Sequence, residues 1–321
     1  MNFQDLAYYL MYIVVAGFIV FLSIKASKYV DLIEKKTSLS GAFIGGVMLS
    51  AVTSLPELFT SLTATIVLDE PGLCIGNILG SNLFNLTVLA VLVLVFFKDF
   101  ANNKIARSQI NVTVFGFLLY IVVLLNMLGF VNQVFYSISL TSVLIVALYI
   151  LGVKSMSAEN GSSESADEDT SPLSVKTVVI RLIITSVVLV GASVVLTNLT
   201  DGIAEKLNLG SGLAGALFLG IATSLPELAS TVTLFKLKSY NIAVGNIVGS
   251  NLFNFIILSI ADFLYFGKGV YDFSDPATLN LLVFGMIATP LVLVIIKIQN
   301  KYMKAVSAVG VAICYLAFLI V

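Results

Sequence analysis

The sequence contains no histidine, only two cysteines and few charged residues. Without histidine, imidazole metal ligation and histidine acid–base chemistry are excluded. Cys74 and Cys314 are too few for a thiolate metal cluster and read as small apolar packing residues. Charged residues make up 11% of the 321 positions, against about 25% in soluble domains. Hydrophobic residues make up 59%, so the class that remains is an integral membrane protein. A net charge of −1 implies no nucleic-acid partner. The N-terminus lacks a basic leader region, and its first apolar run ends on lysines, so it reads as a first membrane span rather than a cleaved signal. No nucleophile–base pair or cofactor motif is visible, so neither an enzyme nor a bound cofactor is expected.

What stands out against this background is Gly45-Gly46-Val47-Met48-Leu49-Ser50-Ala51-Val52-Thr53-Ser54-Leu55-Pro56-Glu57. It sets a proline and a carboxylate inside a run that is otherwise uncharged from Thr37 to Leu68. A carboxylate at membrane depth costs about 2.5–3.5 kcal/mol on insertion scales, so it needs a polar cavity, an ion or a partner. Pro56 removes a backbone donor and predicts a break that frees carbonyls beside Thr53 and Ser54. Carbonyls, hydroxyls and a carboxylate at a broken helix suit a hard cation. Thr-Ser-Leu-Pro-Glu then recurs without change at Thr223–Glu227, 170 residues downstream. A single copy would suit a proline kink with a paired glutamate; two identical copies in two apolar spans do not.

Charged residues bracket nine uncharged runs, interrupted only by Glu57 and Glu227. Ser108–Val153 is long enough to cross twice, with Gly129–Gln133 as the turn. The expectation is an all-α integral membrane protein of ten transmembrane helices. Residues 1–153 and 176–321 each supply five. Between them, residues 154–175 form an acidic linker of small polar residues, expected to be disordered and without EF-hand spacing. Fifteen of the seventeen lysines and arginines fall on one side of this plan, leaving Lys206 and Lys268 on the other. Both termini are therefore expected outside a cell membrane, with the linker cytoplasmic. Five spans per half invert the second half relative to the first. Glu57 and Glu227 stand about 16 and 12 Å from the ends of their runs, near the middle of a roughly 30 Å hydrocarbon layer. The two carboxylates are expected to meet there from opposite faces, in two inverted-topology five-helix repeats.

A second repeated element follows each glutamate. Gly76-Asn77-Ile78-Leu79-Gly80-Ser81-Asn82-Leu83-Phe84-Asn85 is matched at Gly245–Asn254, with Val248 in place of Leu79 as the one difference. The glycines suit close helix packing. Asn77, Ser81 and Asn85 lie four apart on one helical face, as do Asn246, Ser250 and Asn254. Together with two glutamates they describe an oxygen-rich cage whose two negative charges balance one divalent cation. Asp262 reads as a boundary residue near a span end, Pro290 as a kink, and Tyr8 and Tyr9 as interfacial anchors.

These paired motifs resemble the two alpha-repeats of the cation/calcium antiporter superfamily, most closely its sodium/calcium exchanger branch of prokaryotic type. The resemblance implies exchange of Ca²⁺ for Na⁺ by alternating access, with the first and sixth spans as long helices sliding across an ion-binding core. It implies that Glu57 and Glu227 are ion ligands, joined by Thr53, Ser54, Thr223 and Ser224, by Ser81 and Ser250, and by Asn85 and Asn254. Backbone carbonyls near Ser50 and Gly220 would complete the set. Many prokaryotic members carry an aspartate at one of the two positions held here by Asn85 and Asn254, so this chain brings two carboxylates rather than three. The proton-coupled branch typically has an acidic residue within the glycine-rich motif; none stands here, which favours Na⁺ over H⁺. A Ca²⁺/H⁺ antiporter on the same scaffold is the alternative, and a cation channel a more distant one.

Overall fold

The computed structural model describes residues 3–36, 49–135, 138–157, 173–266 and 269–321. Gly45 to Met48 and residues 158–172 of the acidic linker lie outside the described residues. The described chain is helical apart from short connections and one small hairpin. Helix α1 spans Phe3–Lys36, α2 Leu49–Thr53, α3 Leu55–Leu62, α4 Pro71–Val95, α5 Phe97–Phe100, α6 Arg107–Met127 and α7 Leu140–Ser157. After the linker come α8 Val175–Leu207, α9 Ser211–Ala214, α10 Ile221–Lys236, α11 Tyr240–Leu264, α12 Pro276–Lys297 and α13 Lys301–Ile320. Wide π-helical turns continue α3 at Thr63–Val67 and join α9 to α10 at Gly215–Gly220.

Eight helices among the described residues are long and apolar enough to cross a membrane. Two further apolar stretches, Leu55–Val67 and Leu140–Ser155, are shorter. The expected turn after α6 is present, with Gly129 at φ +82, a backbone conformation glycine adopts at no steric cost. Beyond it a two-stranded hairpin, Val134–Phe135 against Ile138–Ser139, leads into α7. Helix α7 runs four residues past the expected end of the first half at Val153.

The two glycine-rich helices, α4 and α11, are the most enclosed of the crossing helices. They pack against each other, with α12 and α13 covering α4, and α6 and α7 covering α11. Helices α1 and α8 run along one another outside this group. At 34 and 33 residues they are about 50 Å long, well beyond a 30 Å hydrocarbon layer. Each packs on the motif of the opposite half, α1 on α10 and α8 on α3, and α1 packs also on α2 of its own half.

The glycines of α4 explain how it sits so close to the turn that opens the second motif. A Cβ on Gly76 would lie 2.0 Å from the Gly212 carbonyl oxygen, and one on Gly80 would lie 2.6 Å from Ala216 Cα. Neither neighbour is a side chain that can swing away. The packing role expected for these glycines is thus present, and it brings Asn77 and Ser81 alongside Gly215–Gly220. Gly191 in α8, by contrast, has nothing within 4 Å of an added Cβ. Gly76→Ala is expected to lower the thermal midpoint of the detergent-solubilised protein, by about 1–3 kcal/mol of overpacking. Gly191→Ala should leave it unchanged or slightly raised. Equal midpoints for the two variants would contradict this packing.

Candidate cation site

The two Thr-Ser-Leu-Pro-Glu copies share a sequence but not a backbone. In the first, α2 ends at Thr53, Ser54 takes φ −89 and ψ 12, and α3 starts with Pro56 in its first turn. In the second, the motif runs unbroken through α10 with Pro226 inside the helix. The break that proline predicts is therefore present at the first copy alone. At the second copy the backbone adjusts upstream instead, in the π-helical turn at Gly215–Gly220, which relieves the helix without parting it.

Glu57 and Glu227 are both fully enclosed, at 0% exposure. Each accepts a hydrogen bond from the opposite motif. Ser54 Oγ donates to Glu227 Oε1 at 3.3 Å, and Ser224 Oγ donates to Glu57 Oε1 at 3.3 Å. Ser250 Oγ donates to Glu227 Oε1 at 3.5 Å and lies 3.5 Å from Thr53 Oγ1. Thr223 Oγ1 donates to Asn77 Oδ1 at 3.4 Å and to the Leu219 carbonyl at 2.9 Å. Ser81 Oγ donates to the Gly220 carbonyl at 3.1 Å. The Ser50 carbonyl accepts from Thr53 Oγ1 at 3.2 Å and from Ser54 N at 3.0 Å. All twelve residues singled out in the sequence are buried. The glutamates, threonines and serines of both motifs form one cross-bonded group.

The asparagines orient this group. Asn77 Nδ2 donates to Thr60 Oγ1 at 3.0 Å, Ser61 Oγ at 2.8 Å and the Glu57 carbonyl at 3.3 Å. In the same way Asn246 Nδ2 donates to Ser230 Oγ at 2.9 Å and Thr231 Oγ1 at 3.1 Å. About two turns along α4 and α11, Asn85 Nδ2 donates to Asn251 Oδ1 at 3.1 Å and Asn254 Nδ2 donates to Asn82 Oδ1 at 2.9 Å. Every amide nitrogen of these four cage asparagines is turned to a protein acceptor, and the oxygens point elsewhere.

Five of the oxygens are left over. Glu57 Oε2, Glu227 Oε2, Asn85 Oδ1, Asn246 Oδ1 and Asn254 Oδ1 are buried and have no hydrogen-bond partner among the described residues. A buried carboxylate oxygen without a donor is costly. Two carboxylates and neutral amide oxygens form a hard, all-oxygen donor set, suited to Ca²⁺ or Na⁺ rather than to a transition metal. No group of three or more His, Cys, Asp or Glu side chains that could hold a metal occurs among the described residues. The pair of glutamates is thus the full complement of charge at this site.

Sequence reasoning missed Thr60, Ser61, Ser230 and Thr231. They stand three and four residues after each glutamate, on the same helical face, so their spacing held the signal. It also passed over Asn82 and Asn251, whose partners lie across the two halves of the chain. Asp262 stands two residues before the end of α11 at Leu264, near a span end as expected, but it does not face solvent. It is 2% exposed and accepts from Ser139 Oγ at 2.6 Å, Ser142 Oγ at 2.8 Å and Ser139 N at 3.3 Å. It anchors the hairpin and the start of α7. Tyr8 Oη donates to the Asn198 carbonyl on α8 at 3.2 Å, so it holds the two long helices together. Where α4 begins, the Glu70 carboxyl is raised above its ordinary range by burial, with the nearby charge of Asp201 adding to it.

The sodium/calcium exchanger protein family model matches residues 7–154 and 177–321. A membrane protein of Methanocaldococcus jannaschii, described as uncharacterized and named MJ0091, is 26% identical over 223 residues, or 68% of this chain and 69% of its own length. The solved structure of the sodium-calcium exchanger NCX_Mj, soaked with Na⁺ and Sr²⁺, shares the fold at a TM-score of 0.63 and 20% identity. The match covers 100% of this chain and 99% of that one. The crystal structure of the H⁺/Ca²⁺ exchanger CAX matches at a TM-score of 0.70 and 11% identity, over 98% of this chain and 87% of that one.

The leftover carboxylate oxygens give a direct test. In chelator at mildly alkaline pH, Glu57→Gln should unfold at a higher temperature than the wild type, because one of two facing charges is gone. It should also lose the rise in midpoint that added Ca²⁺ gives the wild type. A midpoint at or below the wild-type value in chelator, with the Ca²⁺ response intact, would contradict this reading of the site.

Proposed function

The chain belongs to the sodium/calcium exchanger protein family, and from that premise we propose that it exchanges Ca²⁺ for Na⁺ through one site built on Glu57 and Glu227. Membership makes it a membrane ion exchanger rather than an enzyme, with its ions as substrates and no cofactor. The observation that carries the finer reading is the set of five buried oxygens without donors, contributed by both halves around two cross-bonded glutamates.

In this reading Ca²⁺ takes one oxygen from each glutamate, and the two charges cancel its own. Asn85 and Asn254 supply neutral oxygens, and the hydroxyls of Thr53, Ser54, Thr223, Ser224, Ser81 and Ser250 tune and complete the shell toward six to eight contacts. The carbonyls of Ser50 and Gly220 stand at its edge. Na⁺ ions occupy the same carboxylates in turn. An ion-free site would leave two enclosed charges uncompensated, so the protein resists switching without cargo. That couples inward flow of one ion to outward flow of the other. The crossed packing of α1 on α10 and α8 on α3 supports gating by the two long helices, since each touches the motif of the opposite half.

The wider plan belongs to the same proposal. Ten spans in two inverted five-helix repeats would include α2–α3 and α7 as the two spans beyond the eight long ones. The cell membrane would hold both termini outside and the acidic linker in the cytoplasm. Na⁺ is favoured over H⁺ because Asn85 and Asn254 are neutral and no acidic residue interrupts either glycine-rich motif.

Reconstituted vesicles test it. An outward Na⁺ gradient is expected to drive ⁴⁵Ca²⁺ uptake, while K⁺ or a pH gradient alone drives none. Glu57→Gln and Glu227→Gln should each reduce that uptake to background. Uptake driven by a pH gradient without Na⁺ would replace this reading with Ca²⁺/H⁺ exchange on the same site, and undiminished uptake in either variant would refute the site itself.

A further inference from the structure

The four asparagines of the two Ser-Asn-Leu-Phe-Asn segments form a directed chain of hydrogen bonds, and one end of it is fixed. Asn251 Nδ2 donates to the backbone carbonyl of Asn82 at 3.0 Å. A backbone carbonyl accepts and cannot turn into a donor, so this bond sets which way round the Asn251 amide lies. Its Oδ1 must then face Asn85, and it accepts from Asn85 Nδ2 at 3.1 Å. With its nitrogen taken, Asn85 has Oδ1 left, buried and without a donor among the described residues. If Asn85 turned over, its oxygen would meet the Asn251 oxygen and two acceptors would face each other. The second arm has no such anchor. Asn82 Oδ1 accepts from Asn254 Nδ2, but Asn82 Nδ2 itself finds no acceptor among the described residues.

Resting on the Ca²⁺ reading above, we propose that Asn251 is a positioning residue. It touches no ion. It locks the Asn85 amide with its oxygen toward the cation and its nitrogen away, so that a neutral residue acts as a fixed donor of an oxygen. Lock and ligand come from different halves of the chain, α11 and α4, so the site keeps this oxygen only while the two glycine-rich helices stay in register. The amide at 254, held by an unanchored partner, has no equivalent lock.

The surroundings make the test practicable. Asn251 is 7% exposed and borders a small cavity whose walls include Leu86, Tyr120, Val248 and Phe255, an apolar setting for an apolar replacement. The experiment is calorimetric Ca²⁺ binding to the purified full-length protein in lipid nanodiscs. The variants are Asn251→Leu, Asn85→Ala, the double variant, Asn251→Ala and Glu57→Gln. Asn251→Leu is expected to weaken Ca²⁺ binding about tenfold, the scale for loss of a partner that orients a metal ligand. The double variant should bind no more weakly than Asn85→Ala alone, because Asn251 acts only through Asn85. Asn251→Ala removes both bonds without adding bulk, so it should weaken Ca²⁺ binding as the leucine variant does. It serves as the second readout if the leucine variant does not fold.

The proposal is overturned if Asn251→Leu or Asn251→Ala binds like the wild type, or if the effect of Asn251→Leu multiplies with that of Asn85→Ala. Any of these results, with wild type binding and Glu57→Gln not binding, removes the lock and leaves the two-glutamate site standing. Absence of Ca²⁺ binding by the wild type, or unchanged binding by Glu57→Gln, would remove both.

Discussion

Two carboxylates enclosed in an apolar molecule repel each other and have lost their water, and a cation between them or the uptake of a proton relieves both costs. The rest of the structure is arranged around that constraint. Ser54 and Ser224 each reach across to the opposite glutamate, so one oxygen of each carboxylate is held by hydrogen bonding and the other has no donor among the described residues. The amide nitrogens of Asn77, Asn85, Asn246 and Asn254 are bonded to protein acceptors, so on the proposed reading oxygen faces the ion and the glutamates carry the formal charge.

Bringing these groups together requires close approach of backbones. Gly76 and Gly80 let α4 lie against the turn Gly215–Gly220 at distances no side chain would permit. That turn widens the backbone where the second motif begins, while the first motif is parted at Ser54. The same five residues thus occur on two different backbones, and both deliver a glutamate to the same place. Packing by small residues and binding by polar ones alternate along one helix, and neither works without the other.

Much of this was legible in the sequence. The repeated Thr-Ser-Leu-Pro-Glu and Gly-Asn-Ile segments named the helices and most of the buried oxygens, because spacing along a helix fixes which side chains share a face. The glycines announced close packing by the same logic. What the sequence did not disclose depends on contacts between distant helices. Nothing in local spacing shows that Asn85 turns its nitrogen to Asn251, or that Asp262 at the end of α11 is buried against Ser139 and Ser142. Identical motifs also concealed a backbone difference, since a π-helical turn has no residue signature of its own and is set by what packs against it.

The central claim is that one divalent cation is shared by Glu57 and Glu227. Anomalous diffraction from crystals soaked in Sr²⁺ addresses it directly. The account predicts a single strong peak between the two carboxylates, about 2.3–2.6 Å from an oxygen of each, the range for Ca²⁺-like ions. A peak bound to one glutamate alone, or lying at another part of the protein, would contradict it.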